Sequence, residues 1–207
     1  MSAPKTPVRQ GGRHDFQTPP EALAPLFPYL PAKWTIWECA AGKGNLTKEL
    51  EAKGYKVIST DINTGKDFLK YEPTQHYDCI ITNPPYDIKD DFLERAYALG
   101  KPFAFLLPLT TFEGKTRQAL FEKYGLEVIM FNTRINFEVP TAARDKKDSG
   151  SWFMTAWFTN KMKLDNQINF VSLDKGDKGD KGEPEKKAAG GEIESPNKSD
   201  YFLLLDL

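Results

Sequence analysis

The stretch "WTIWECAAGKGNLTKELEAKGYKVISTD", residues 34–61, decides the fold. "WTIWE" (34–38) is apolar enough for a buried strand, and "CAAGKGN" behind it carries two glycines, Gly42 and Gly44. "LTKELEAKG" then has apolar residues at helical spacing and stops at Gly54, a residue that suits a helix C-terminus. "KVIST" (56–60) is a second strand, ending at Asp61. Strand, glycine turn, helix, strand is the opening unit of an open, mainly parallel sheet.

The pattern repeats outward. "YDCIIT" (77–82) and "FAFLLP" (103–108) read as strands flanking a helix "IKDDFLERAYALG" (88–100). A second helix, "EGKTRQALFEKYG" (113–125), leads to a strand "LEVIMF" (126–131). "SWFMTAWFT" (151–159) is expected as a final edge strand entering antiparallel, and "NTRINFEVPTAARDKKDSG" before it as a functional loop. Upstream, "TPPEALAPLFPYL" is expected to start a helix, with Thr18 as N-cap, a proline in the first turn and Glu21 at capping-box spacing. The expected division is a flexible arm (1–15), one catalytic domain (16–173), a flexible charged linker (174–200) and an apolar end, "YFLLLDL" (201–207). The linker's glycines at 176, 179 and 182 make three collagen-like triplets, too few for a triple helix. The apolar end would fold back or offer a partner protein a short strand.

Composition narrows the class. A hydrophobic fraction of 40% with 13% aromatic residues indicates a globular domain. No apolar run is long enough for a membrane span, and the polar start "MSAPKTPVRQGGRHD" has no secretory apolar region. The expectation is a cytoplasmic protein with Cys39 and Cys79 as reduced core residues. A net charge of −1 argues against a basic nucleic-acid coat. From Asp174 onward there are nine acidic and six basic residues, so the remaining body is slightly basic. His14 and His76 have no ligand-spaced partners, so no metal is expected.

The unusual stretches all fall at strand ends, where open parallel sheets bind ligands. Gly42 and Gly44 allow a tight turn and close backbone approach, but no Ser or Thr follows Lys43 as a phosphate loop requires. Thr47 stands where a dinucleotide fingerprint needs its third glycine. Asp61, 17 residues past Gly44, can accept from both hydroxyls of a ribose. "DCIITNPPYD" (78–87) runs a buried strand into two prolines, which cannot donate to a ladder. Asn83 offers a side-chain carbonyl and Pro84 a main-chain one. Two acceptors on a stiff turn can grip both hydrogens of an exocyclic amino group, freeing its lone pair for attack on a methyl group. Pro85 stiffens the turn, and Tyr86 supplies a flat stacking surface.

On these residues the chain resembles the S-adenosylmethionine-dependent amino-methyltransferases, particularly the bacterial and phage N6-adenine DNA enzymes, over roughly residues 15–160. The resemblance implies an α/β, Rossmann-like, doubly wound and mainly parallel seven-stranded sheet with helices on both faces, the class I methyltransferase fold. It makes "NPPY" catalytic through Asn83, Pro84, Pro85 and Tyr86. "TPPEAL" is similar to the family's N-terminal cofactor motif, so Thr18 and Pro19 would touch the methionine part of S-adenosylmethionine. "WECAAGKGNL" resembles the glycine motif, with Glu38 near the cofactor amine and Ala40, Gly42 and Gly44 lining its path. Asp61 matches the ribose acid. In "KDFL", Asp67 would bond the cofactor adenine and Phe68 would pack beside it. "INFEVP" looks like the late aromatic motif, with Phe137 holding a flipped base against Tyr86.

Two departures from the family stand out. The connector from Asp61 to Tyr77 is short for the helix many relatives place there, and nothing after residue 173 resembles a target-recognition domain. If the substrate is duplex DNA, contacts fall to loops 108–118 and 132–150, with Arg134, Arg144, Lys146 and Lys147 as candidates. The expected activity is methyl transfer to N6 of adenine in DNA after base extrusion. RNA or a protein glutamine is the alternative substrate, and a non-catalytic nucleic-acid-binding subunit is the alternative of another class. The compact design suggests a phage or restriction-modification setting.

Overall fold

The computed structural model describes residues 18–137 and 153–173. The N-terminal arm, the charged linker, the apolar end, Arg144, Lys146 and Lys147 lie outside the described residues. The first described element is a 3-10 helix, Pro20–Tyr29, followed by β1 Thr35–Glu38, α1 Asn45–Ala52 and β2 Lys56–Ser59. β3 Cys79–Thr82, α2 Lys89–Leu99, β4 Phe103–Pro108 and α3 Lys115–Tyr124 follow. β5 Glu127–Phe131, β6 Thr155–Asn160 and β7 Ile168–Val171 complete the sheet.

Among the described residues, seven strands lie in the order β2-β1-β3-β4-β6-β5-β7. All run parallel except β6, which is antiparallel to both β4 and β5. The sheet is a Rossmann-like, doubly wound α/β sheet. Alternation along the strands feeds two cores, because successive side chains point to opposite faces. Ile36, Ile81, Leu106 and Trp157 fill one face, covered by the N-terminal 3-10 helix through Leu23 and Leu26 and by α1 through Leu50. Trp37, Ile80, Phe105 and Phe158 fill the other, covered by α2 through Phe92 and Leu93 and by the partly buried Leu120 and Phe121 of α3.

Three expectations change. The first helix is 3-10 rather than α because Pro25 and Pro28 inside it remove main-chain donors. Its N-cap is Pro19 and no side chain caps it, so Thr18 and Glu21 do not form the expected box. The late aromatic strand is no edge strand. β6 pairs on both sides and every residue in it is buried, which needs hydrophobic side chains on both faces, and "TAWFTN" supplies them. The edge belongs instead to β7, whose Phe170 is 79% exposed and whose short polar-apolar run gave little signal. The short connector after Asp61 carries only a 3-10 turn, Ile62–Thr64, and no α-helix, as its length implied.

Trp157 ties the N-terminal segment to the sheet. Its fully buried indole N–H donates to the Ala22 carbonyl at 2.7 Å. Trp157→Phe leaves that carbonyl without its donor and opens a void. The expected cost is about 3 kcal/mol, read as a lower urea midpoint at unchanged slope; an unchanged midpoint refutes the tie. Among the described residues, no helix is long and apolar enough to cross a membrane.

Candidate active site

The sheet order reverses between β1 and β3, because β2 lies to one side of β1 and β3 with β4 to the other. The carboxyl ends of β1, β2 and β3 therefore open a crevice at the switch point. A cleft of about 330 Å³ sits there, lined by Cys39, Ala40, Gly42, Asp61, Ile62, Asn63, Asp67, Phe68, Asn83, Pro84, Pro85, Tyr86, Asp87, Ile88 and Phe92. The turn after β1 adopts positive φ at Gly42 (52°) and Gly44 (80°), a region that side chains with a Cβ rarely enter. It is closed by Gly44 N–H on the Ala41 carbonyl (2.7 Å) and tied to β2 by Ala41 N–H on the Thr60 carbonyl (3.1 Å).

Asp61 locks the two loops together. Its Oδ2 accepts from the Gly42 N–H at 2.9 Å and its Oδ1 from the Asn63 N–H at 2.8 Å. Each carboxylate oxygen keeps acceptor capacity for a further hydrogen bond, the requirement for a diol ligand. Ile62 follows it, 64% exposed on the cleft, and no apolar signal in the sequence marks it as a surface residue. Asp67 accepts from the Leu69 N–H through Oδ1 at 3.0 Å. Phe68 is buried, stacked on Phe92 with centroids 4.6 Å apart and tilted against Trp37 at 5.2 Å, so it forms a wall of the cleft.

Glu38 is fully buried at the end of β1 and is absent from the cleft wall. The Thr82 hydroxyl donates to its Oε1 at 2.5 Å, and Oε2 has no partner among the described residues. Burial pushes this carboxyl up to about 8, against the downward pull of the Thr82 and Ala40 hydrogen bonds, with a smaller upward push from Asp61. The stability consequence has a definite sign. The unfolded chain ionises Glu38 near 4.5 while the folded chain keeps the proton until about 8. Stability is therefore fully present below the lower value and is lost as pH rises through that window. Relative to Glu38→Gln, the wild-type urea midpoint should decline steadily from about pH 5 to pH 8. A constant difference between the two proteins across that range refutes a neutral buried Glu38.

At the end of β3, Asn83 presents its amide. The Nδ2 group donates to the Thr18 hydroxyl at 3.0 Å, and Oδ1 is buried without a partner among the described residues. Tyr86 packs on the second core, its ring edge-on to Phe153 at 5.6 Å. Its hydroxyl has no hydrogen-bond partner among the described residues, and burial raises its pKa; the nearby Asn83 side chain offsets this only in part.

Of the expected cofactor residues, Ala40, Gly42, Asp61, Asp67 and Phe68 line the cleft together with the whole Asn-Pro-Pro-Tyr turn. Thr18, Pro19, Glu38 and Gly44 are not among the residues that line it. Phe137 is partly buried against the first core, while Tyr86 packs against the second. The ring against Tyr86 is Phe153, in a stretch read only as strand. Loop 108–118, a candidate for DNA contacts, is tied down by side-chain hydrogen bonds. Its 3-10 turn Leu109–Phe112 is pinned by Arg117, which donates to the Thr111 carbonyl at 2.8 Å and to Asp90 at 2.7 and 2.8 Å. Arg134 is exposed beyond β5.

No protein-family model and no curated protein matches the chain. Solved structures do. A type I restriction-modification methyltransferase subunit from Streptococcus thermophilus aligns over 80% of this chain and 49% of its own, at 18% identity and a TM-score of 0.49. A SAM-dependent methyltransferase from Archaeoglobus fulgidus aligns over 69% of this chain and 92% of its own, at 13% identity and 0.45. A TehB-like SAM-dependent methyltransferase from Corynebacterium glutamicum covers 69% and 88%, at 17% and 0.42. This chain's own strand order and pairing make it a Rossmann-like, doubly wound α/β sheet. The chain spans about half the length of the restriction-modification subunit.

Proposed function

We propose that the chain transfers a methyl group from S-adenosylmethionine to the exocyclic N6 amino group of adenine in DNA. The observation that carries this reading is the partnerless buried Oδ1 of Asn83, in a cleft that also contains Asp61. A buried acceptor without a donor costs stability unless a ligand supplies one. An amino group is such a ligand.

The residues present fit the cofactor. Asp61 has acceptor capacity for ribose hydroxyls, Ile62 and Phe68 flank the cleft with apolar surface for a purine, and Asp67 can accept from an amino group. When bound, S-adenosylmethionine supplies an electrophilic methyl group on sulfur. Asn83 Oδ1 and the Pro84 carbonyl accept the two hydrogens of the substrate NH2 group and hold its lone pair in line with that methyl. Positioning of this kind lowers the barrier because reacting atoms are already aligned. The cofactor would supply that methyl in exchange for one hydrogen of the held amino group, whose proton would pass to solvent. The stiff Pro84-Pro85 turn keeps the two acceptors from drifting. Tyr86 offers a face to the extruded base, since the amino group is unreachable inside a duplex.

Incubation with methyl-labelled S-adenosylmethionine and separate DNA, RNA and protein pools tests this. Label should enter DNA and, after nucleoside digestion, co-migrate with N6-methyldeoxyadenosine. Label in RNA or in glutamine reassigns the substrate. No label combined with no cofactor binding by calorimetry identifies a non-catalytic binding subunit.

A further inference from the structure

We propose that Thr18 is a positioning residue whose hydroxyl anchors the Asn83 amide by its nitrogen, so that Oδ1 faces the substrate. The inference rests on the reading of Asn83 as acceptor for the substrate amino group, and it assigns Thr18 a task other than cofactor contact.

Thr18 precedes a helix, where a threonine ordinarily caps. Here it does not: Pro19 takes the cap position and no side chain caps the helix. The Thr18 hydroxyl is spent on Asn83 instead, 65 residues away, at 3.0 Å, and only 4% of the residue is exposed. The platform beneath it is stiff. Pro19 and Pro20 fix the backbone just after Thr18, Ala22 N–H bonds back to the Pro19 carbonyl at 3.1 Å, and Trp157 holds the Ala22 carbonyl from the sheet. Ala22, Leu23 and Leu26 are fully buried.

A carboxamide needs such an anchor because its two ends are nearly isosteric. Turned by half a rotation, Asn83 would present N–H donors to a substrate that also presents N–H donors, and the grip becomes repulsion. A threonine hydroxyl can donate as well as accept. In this arrangement it accepts from Nδ2, which leaves Oδ1 as the partnerless atom. The nitrogen is held, and the oxygen has no partner among the described residues.

Thr18→Val keeps shape and removes the hydroxyl, while Thr18→Ser keeps the hydroxyl; Thr18→Ala stands in if the valine variant misfolds. Two readouts are needed. In 15N-labelled protein, the Asn83 side-chain N–H signals, assigned by their loss in Asn83→Asp, report the anchor without any need for activity. Their solvent exchange should quicken about tenfold in Thr18→Val and stay slow in Thr18→Ser, as a hydrogen bond of ordinary net strength sets. With DNA and saturating S-adenosylmethionine, kcat should fall about tenfold in Thr18→Val at unchanged cofactor affinity, and serine should restore it.

Unchanged exchange in Thr18→Val overturns the proposal. So does a loss of cofactor affinity with wild-type kcat at saturation, which makes Thr18 a cofactor contact. If the wild type methylates no pool yet its Asn83 amide is protected through Thr18, the anchor stands and the methyl-transfer reading falls. Methylation with an unprotected amide overturns the anchor alone.

Discussion

Asn83→Ala protein should bind S-adenosylmethionine as the wild type does and transfer methyl groups about a thousandfold more slowly. The change removes a buried amide oxygen that has no partner among the described residues, leaving only the Pro84 carbonyl to meet the substrate amino group. Losing a single positioned polar group at a reacting centre costs about 10²–10³ in kcat where its interaction forms with the developing charge. Loss of alignment adds to this. Cofactor calorimetry doubles as the folding control, because the Asp61 and Gly42 pair that shapes the other end of the cleft does not involve Asn83. Wild-type turnover by the variant would remove Asn83 from the chemistry. Weakened cofactor binding with normal kcat would move Asn83 to the cofactor side of the cleft.

The second large effect concerns Asp61. Asp61→Ala should weaken S-adenosylmethionine binding by about a hundredfold, or about 3 kcal/mol, because two hydrogen bonds to a charged acceptor are lost. Part of the loss arises inside the protein. Gly42 and Asn63 each give a main-chain N–H to this carboxylate, so without it the glycine turn and the Ile62–Thr64 turn are no longer joined. Asp61→Asn separates the two contributions: its remaining oxygen can keep one main-chain bond, and its affinity should fall between wild type and alanine. Titration calorimetry on the three proteins reads this directly. Equal affinity across them would mean that the carboxylate serves only to close the loops.

Much of this site could be read along the chain because its parts are short and local. A strand that must end at two prolines, a turn that needs two glycines and a carboxylate ending the next strand are each set by neighbours a few residues apart. The parallel sheet guarantees that such ends come together. Where reading failed, the deciding partner was distant. β6 looked like an edge because its own residues cannot reveal that β4 and β5 both pair with it. Phe137 and Phe153 are both aromatic residues near strand ends, and only the face on which each packs distinguishes them. Thr18 satisfied the pattern of a helix cap, yet a buried amide 65 residues onward outcompeted the helix for its hydroxyl.

By itself, then, the sequence determined the alternation of elements, the glycine turn, the acid just after β2 and the rigid Asn-Pro-Pro-Tyr corner, since backbone stereochemistry and hydrophobic period act over a few residues. Only the tertiary structure decided which ring meets Tyr86, that Glu38 is sealed and protonated near neutral pH, and which end of the Asn83 amide is free. Those depend on burial and on hydrogen-bond partners brought together across the sheet, and a side chain's nearest neighbours in sequence carry no record of them.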